Sequence, residues 1–337
     1  MTAEHKQPSA PFNFQELDPK ENFVGGLLTV DIPELGPKTQ GKVRDIYKVD
    51  GRLIIITTDR QSAYDRMICT VPQKGMVLNL FSAFWFNRTR DIAPNHFIES
   101  PQPNVMITME CEPLEVEMVA RRHITGTTTT SIGYQYFEQG KREIYGYKFP
   151  DGLRMNECLP DSMGLIITPT TKARAGSHDV PLTEKEAAEI VGKARYELMR
   201  IYTIGLFEFA EKVCLTSDLI IHDTKIEFGI DRNGFLRVID ELFTPDSSRF
   251  WGRAGYEERF QAGLQPVTFD KDILRRWLAD QGFRGDGPVP TVDPEIILAM
   301  QQAYVAPYEM ITGQKLPDSK LSDPSIIRQA VLANSGY

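Results

Sequence analysis

Apolar and polar residues alternate with a period of two in several early segments of the chain. Lys42 to Val49, a turn at Asp50-Gly51, and Leu53 to Thr58 predict a β-hairpin, because Asp-Gly supplies the positive φ angles of a tight two-residue turn. Val105 to Thr108 and Leu114 to Ala120 continue the strand pattern, and Met76 to Arg90 reads as a helix between them. The first third is therefore expected to be a mostly antiparallel sheet carrying one helix. Residues 1 to about 35 form an irregular lead-in, interrupted by Pro8, Pro11, Pro19 and Pro33.

From Gly126 to Pro181 the pattern breaks into turns and short apolar runs, a length that usually lines a site. Thr183 and Glu186 then fit a capping box. Ile190, Ala194, Leu198, Ile201, Ile204 and Phe207 follow at helical spacing and predict one long helix buried along that face. Two strands flank Asn233-Gly234. If these two residues are the whole loop, Arg232 pairs with Phe235, Phe228 with Ile239, and Glu227 with Asp240. Lys225, Glu227, Asp240 and Leu242 then share one face and Ile226, Phe228 and Ile239 the opposite, packed face, unless a bulge shifts the register. Helices are expected over Asp270 to Asp280 and Asp293 to Thr312, with Asp293-Pro294 as N-cap and first helical residue.

Composition narrows the function. A chain of 337 residues can bury a large core in two closely packed lobes. A net charge of −8 argues against a nucleic-acid partner, so clustered cations point to a small anionic ligand. Cys69, Cys111, Cys158 and Cys214 include no CxxC pair, which leaves reduced structural thiols as the expectation. There is no apolar run of about 18 residues, and the first residues resemble neither a signal sequence nor a transit peptide. The expected location is the cytoplasm, with no membrane partner.

Four constellations carry chemistry. In Gly41-Lys42-Val43-Arg44-Asp45-Ile46-Tyr47 a strand would aim Lys42 and Arg44 to one face, suited to a phosphate chain; a solvated strand face is the plainer alternative, and no Walker loop is present. Thr57 to Asp65 is a hydroxyl- and carboxylate-rich loop after an apolar strand, readable as a binding loop or as a series of Asx and Ser/Thr turns. Val119 to Thr127 delivers Arg121 and Arg122 to a glycine turn, where guanidinium forks and a hydroxyl can cradle an anion; His123 is given no role. Asp223 to Gly229 and Asp240 to Trp251 combine carboxylates suited to a hard ion such as Mg²⁺ with the run Asp246-Ser247-Ser248-Arg249. An acidic hairpin with a polar turn explains less of that pattern.

The ordered blocks GKVRDIY, TDRQSAYD with KGMVLN, DTKIEFG and DELFTPDSSRFW resemble the SAICAR synthetase (phosphoribosylaminoimidazole-succinocarboxamide synthase) family of purine biosynthesis. VARRHITGT, TPTTKARAGSHDVPLT and AYVAPYEMITGQKLP extend the resemblance over about Leu35 to Pro317. It implies an α+β, two-lobed fold: a lead-in over 1–35, a small antiparallel β lobe over 36–115, and a larger α+β lobe with C-terminal helices over 116–337, enclosing ATP. It also implies the ATP-dependent joining of carboxyaminoimidazole ribonucleotide (CAIR) to L-aspartate, giving SAICAR, ADP and phosphate through an acyl phosphate, with magnesium as cofactor. Lys42 and Arg44 would hold the nucleotide phosphates, Glu227 and Asp240 the magnesium, and Lys225 the space between nucleotide and substrate, with Lys225 and Asp223 as catalytic candidates. Ser62 and Asp65 would face the imidazole or the aspartate, and Arg121, Thr127, Ser248 and Arg249 the substrate, three of them (Arg121, Thr127 and Arg249) at its 5′-phosphate. Thr127 replaces a serine common in the family, and Thr128 to Ile132 departs from a Lys-rich pattern. A kinase and a silent nucleotide sensor are the rival readings; the chain carries no HRD or DFG signature.

Overall fold

A computed structural model describes residues 25–64, 66–172, 180–269 and 272–334. In chain order the first part holds β1 (Lys38–Gln40), β2 (Arg44–Val49), β3 (Arg52–Thr57), β4 (Arg60–Ala63), β5 (Arg66–Thr70), α1 (Lys74–Arg88), β6 (Phe97–Gln102), β7 (Val105–Met109) and β8 (Cys111–Arg121). The middle part holds β9 (His123–Ile124), α2 (Ile132–Phe137), β10 (Glu143–Ile144), β11 (Tyr147–Lys148), β12 (Glu157–Cys158), β13 (Ile166–Ile167) and β14 (Thr170–Thr171). Then come α3 (Glu184–Val191), α4 (Lys193–Thr216), β15 (Leu219–Asp231), β16 (Leu236–Ile239), β17 (Ser248–Gly252), α5 (Tyr256–Gln261), α6 (Asp272–Asp280), α7 (Pro294–Thr312) and α8 (Pro324–Asn334). Two antiparallel sheets organise these elements.

The first sheet has strand order β1-β2-β3-β7-β6. Its β2–β3 hairpin turns at Asp50-Gly51, both at positive φ (48° and 74°), with Val49 opposite Arg52 as the Asp-Gly signal requires. Alternation along β3 sends Ile55 to the main core with α1, and Ile54 and Ile56 to a second core closed by Leu35 of the lead-in and Ile327 and Val331 of α8. Helix α1 lies close on this sheet because Gly75 has no side chain: a Cβ there would stand 2.4 Å from the Thr57 carbonyl oxygen.

The second sheet has strand order β13-β8-β15-β16, with β14 also on β8 and β17 on β15. The sheets meet where Asn95 bridges Val238 and the His96 amide donates to the Val238 carbonyl at 3.0 Å. Between them, Phe81, Trp85 and Phe86 of α1 pack in one cluster with Phe207, Phe243 and Phe250.

The structure corrects several expectations. The capping box forms at Thr183 and Glu186, but Gly192 (φ 89°, ψ 136°) divides the predicted long helix into α3 and α4. On α4 itself Tyr196, Met199, Leu206, Phe207 and Ala210 face the core, while Leu198 and Ile201, and Ile190 on α3, are exposed. Of the predicted apolar face only Phe207 is fully buried. Asp293 caps α7 by position, yet its carboxylate accepts the Trp277 indole N–H at 3.2 Å rather than an α7 amide. The predicted helix start at Asp270 lies outside the described residues, as do residues 1–24 of the lead-in. No described helix is long and apolar enough to cross a membrane, and all four cysteines are free.

One buried ion pair ties the first sheet to the segments around it. Arg60 and Asp45 have fully buried side chains 2.9 Å apart. The guanidinium also donates to the Leu28, Gly41 and Lys42 carbonyls, at 2.5, 3.0 and 3.1 Å, while Asp45 accepts the Val30 amide at 2.9 Å. Removing one partner strands the other charge in the interior. Asp45→Ala is therefore expected to cost about 3–5 kcal/mol in urea denaturation, and Asp45→Ala/Arg60→Met to cost less than Asp45→Ala alone; a double variant as unstable as the sum of the singles contradicts this.

Candidate active site

The site is built on one face of β15. Its alternation sets Asp223, Lys225 and Glu227 on a common side and buries Ile226 and Phe228 on the other, as predicted. On the neighbouring β8, Arg121 stands opposite Asp223 and Glu117 opposite Glu227. Two glutamates directly across a ladder repel each other. The Lys225 ammonium resolves this by pairing with Glu117 at 2.9 Å and with Glu227, while Lys172 takes the second Glu227 oxygen. Burial would lower the Lys225 pKa, but Glu227 and Glu117 hold it well above the ordinary lysine range. Burial would likewise raise Glu227, and Lys225 and Lys172 hold it well below the carboxylate range.

At one end of this face Arg121 and Arg249 share Asp223. Arg121 Nη1 lies 3.1 Å from its carboxylate and Arg249 Nε 2.9 Å; Arg121 Nε also donates to the Thr168 hydroxyl at 2.8 Å. Burial pulls the Asp223 pKa up and the Arg249 charge overrides it, leaving the carboxyl firmly ionised. Arg249 Nη1 also lies 3.9 Å from Asp272, which Arg275 shares, so three guanidinium groups face two carboxylates and leave a local excess of positive charge, fit for a dianion such as a phosphate monoester. Ser248 backs this end by hydrogen bonding the Thr224 hydroxyl at 2.7 Å.

At the other end Arg44 crosses between the sheets, with Nη1 2.5 Å from Asp240 and Nη2 3.0 Å from Glu241. Burial raises the Glu241 pKa despite Arg44. Asp240 and Glu227 both lie in the fields of Arg44 and Lys225, so the two carboxylates share one electrostatic neighbourhood.

The way Asp240 arrives there differs from expectation. The loop after β15 has three residues, not two: Ile230 pairs with Leu236 and Glu227 with Ile239, not with Asp240. Asp231 draws the turn in by accepting the Asn233 and Phe235 amides at 2.9 and 3.0 Å, and Gly234 alone takes positive φ (85°). Asp240 then leaves the strand at φ 67°. That left-handed residue turns the chain, and the carboxylate meets Arg44.

Lys42 also departs from the prediction. It lies exposed on a bend before β2, because Gly41 closes a local turn onto the Arg44 carbonyl at 2.7 Å; it therefore does not share a strand face with Arg44. Thr127 is exposed on the loop between β9 and α2, and Ser62 is half-buried on β4. Asp65 lies outside the described residues. Sequence reasoning did not single out Glu117, Lys172 or Glu241. Glu117 had a signal, a lone inward charge in the run Val116-Glu117-Met118-Val119. A cavity of about 710 Å³ bounded by residues including Gly26, Asp59, Gln73, Lys320, Asp323 and Ile326 contains none of these ion pairs. Charge convergence, not cavity size, marks the site.

Three comparisons place this geometry among known proteins. A family model described as SAICAR synthetase matches residues 38–290. The phosphoribosylaminoimidazole-succinocarboxamide synthase of Legionella pneumophila is 42% identical over 311 residues, covering 91% of this chain and 97% of that protein. The chloroplastic synthase of Arabidopsis thaliana is 40% identical over 300 residues, covering 88% and 72%. The solved SAICAR synthase of Saccharomyces cerevisiae, complexed with SAICAR, superposes with a TM-score of 0.72 at 28% identity, covering 87% of this chain and all of that one.

Buried histidines flank both ends and make stability pH-dependent. Burial, aided by Arg44, pushes His96 down to about 3, and burial, aided by Arg122, pushes His123 down to about 4. Below the ordinary value of 6.5 the unfolded chain takes up protons that the folded chain refuses, so stability falls as pH drops from there toward 4. Each histidine is expected to contribute a slope of up to about 1.4 kcal/mol per pH unit. Urea denaturation between pH 7 and 5 measures it, and His96→Gln should flatten the slope.

Proposed function

The chain belongs to the SAICAR synthetase family, and from that premise we propose that the charged face of β15 is the floor on which CAIR, ATP and L-aspartate are brought together. The reaction joins the aspartate amine to the CAIR carboxylate with conversion of ATP to ADP and phosphate. A carboxylate oxygen is a poor leaving group. Transfer of the γ-phosphoryl group to that oxygen releases ADP and gives an acyl phosphate. The amine then attacks the acyl carbon, phosphate departs, and the nitrogen sheds its proton. Most of the acceleration in such a scheme comes from positioning and charge neutralisation.

The observation that carries this reading is that Asp223, Lys225 and Glu227 stand in line on one face of β15, each paired with cations or carboxylates from neighbouring elements. Arg121 and Arg249, gathered by Asp223, receive the ribose 5′-phosphate, with Thr127 and Ser248 beside them. Arg44 and Lys42 receive the nucleotide phosphates. Lys225 lies between, two residues from Asp223 and two from Glu227, where negative charge develops as the phosphoryl group moves. Ser62 is proposed to face the imidazole or the aspartate; the same role for Asp65 rests on the family resemblance alone.

Glu227 and Asp240 would hold magnesium. Their hard oxygen donors suit that ion, and both carboxylates are balanced by cations a divalent metal can replace. No three acidic, histidine or cysteine side chains among the described residues gather as a metal site, which leaves the rest of the coordination shell to phosphate oxygens and water. When bound, magnesium would neutralise the triphosphate charge. Lys225 and Arg44, beside these carboxylates, would add positive charge for the phosphates.

An assay of ADP and SAICAR formation tests the whole reading: turnover should require both CAIR and aspartate, and ADP release without them refutes it. Arg249→Ala should raise KM for CAIR by about ten- to a hundredfold, the loss of one charge-assisted hydrogen bond, with KM for ATP little changed; equal rises in both contradict the assignment. Glu227→Gln and Asp240→Asn should each shift the Mg²⁺ dependence to higher concentration, and unchanged titrations would exclude them as ligands.

A further inference from the structure

We propose that Tyr304 of α7 and Lys74 of α1 are positioning residues for the ligation: they fix the Asp246 carboxylate at the margin of the charged face, where it accepts a hydrogen bond from the amine of the incoming amino acid. This rests on the ligase reading above. Tyr304 is fully buried and Lys74 nearly so, at 0% and 1% exposure. The Tyr304 hydroxyl stands 2.5 Å from Asp246 Oδ1 and the Lys74 ammonium 2.8 Å from Oδ2, so each oxygen is held by its own donor. The Tyr304 hydroxyl has a second neighbour, Gln61 Oε1, at 2.9 Å; the shorter bond goes to the charged acceptor, as expected for a single proton offered to both.

The donors are fixed in turn. Lys74 Nζ also donates to the Arg60 carbonyl at 2.9 Å and lies 5.5 Å from the centroid of the Tyr304 ring. Charge balance alone asks for one cation at Asp246, not for a hydroxyl brought from a helix 58 residues further along the chain. A buried lysine–aspartate pair is also weak evidence of a stabilising role, since its desolvation cost offsets much of its attraction. What the second donor adds is direction: with each oxygen tethered from behind, the carboxylate keeps one orientation.

That orientation faces the chemistry. The Asp246 side chain is 12% exposed while that of Lys74 is fully covered, so the tethered group shows an outer edge. Its charge is felt by Arg44 and by Glu241. It stands in the turn from Thr244 to Ser247, held by the Thr244 and Ser247 side chains, on the segment leading from Asp240 to Arg249. A carboxylate in that place complements an ammonium or amine, and the aspartate amine is the group that must be aimed at the acyl carbon.

The test compares two nucleophiles on the wild-type chain and on Tyr304→Phe, which keeps the ring and removes the hydroxyl. With aspartate, kcat should fall about tenfold, as for the loss of one hydrogen bond to a charged group, while KM for ATP changes less than twofold. With hydroxylamine, a small nucleophile that does not need the carboxylate for its alignment, the fall should be several-fold smaller. The ratio of the two rates is independent of the fraction of variant that folds, so an unchanged ratio overturns the proposal. Asp246→Asn should lower the same ratio at least as far, and Tyr304→Phe/Asp246→Asn should be no worse than Asp246→Asn alone; additive losses overturn the claim that Tyr304 acts through Asp246. A wild-type chain that forms no SAICAR would instead refute the ligase reading itself.

Discussion

Every charge on the floor of this site must have a counter-ion, because the floor is a sheet face largely closed to water. That constraint shapes the arrangement more than any single contact. Lys225 exists in company with Glu117 and Glu227, Asp223 with Arg121 and Arg249, Arg44 with Asp240 and Glu241. The balance differs along the face: positive charge is in excess at the Arg121–Arg249 end and negative charge at Arg44, between Asp240 and Glu241, while Lys225 and Lys172 together balance Glu117 and Glu227. An anionic substrate at the first and a cation near Asp240 and Glu241 would complete the balance. A site organised this way is assembled before its ligands arrive, which is what electrostatic preorganisation requires.

The backbone reaches this state through local irregularity placed at the ends of regular elements. β15 is long, and its pairing with β8 and β17 shifts register at both ends of the functional segment. Between the shifts, strict alternation keeps Asp223, Lys225 and Glu227 in line. Beyond them, the left-handed turn at Asp240 redirects the chain toward the other sheet. Strain of this kind is typically worth about 1–3 kcal/mol per residue, and here the ion pair with Arg44 opposes it.

The two sheets are held together by groups that also serve the site. Arg44 starts β2 and ends on Asp240; Lys74 opens α1 and ends on Asp246; Tyr304 comes from α7 to the same carboxylate. Relative movement of the elements therefore disturbs both carboxylates, Asp240 and Asp246, at once. The Asp45–Arg60 pair steadies the first sheet's side of this junction, since Arg60 holds the Gly41 and Lys42 carbonyls immediately before Arg44.

Much of this was legible in the residues. The Asp-Gly turn, the capping box at Thr183 and Glu186, and the split of β15 into a charged and an apolar face follow from local rules of φ, hydrogen bonding and a period of two, all of which act over a few residues. The ordered motifs carried the family. The register of the β15–β16 hairpin was not legible, because Asn233-Gly234 suits both a two-residue and a three-residue loop, and the choice fell to the Asp231 carboxylate accepting two amides within the turn. The buried face of α4 was misjudged because packing against β15 and β8, not the spacing of its aliphatic residues, decided which side turned inward: Leu198 and Ile201 lie on the outer side. Glu117, Lys172 and Tyr304 lie far along the chain from the charged residues they pair with, Lys225, Glu227 and Asp246, and only tertiary structure brings them together: the need of a buried charge for a partner is a condition on distance in space, which spacing along the chain does not express.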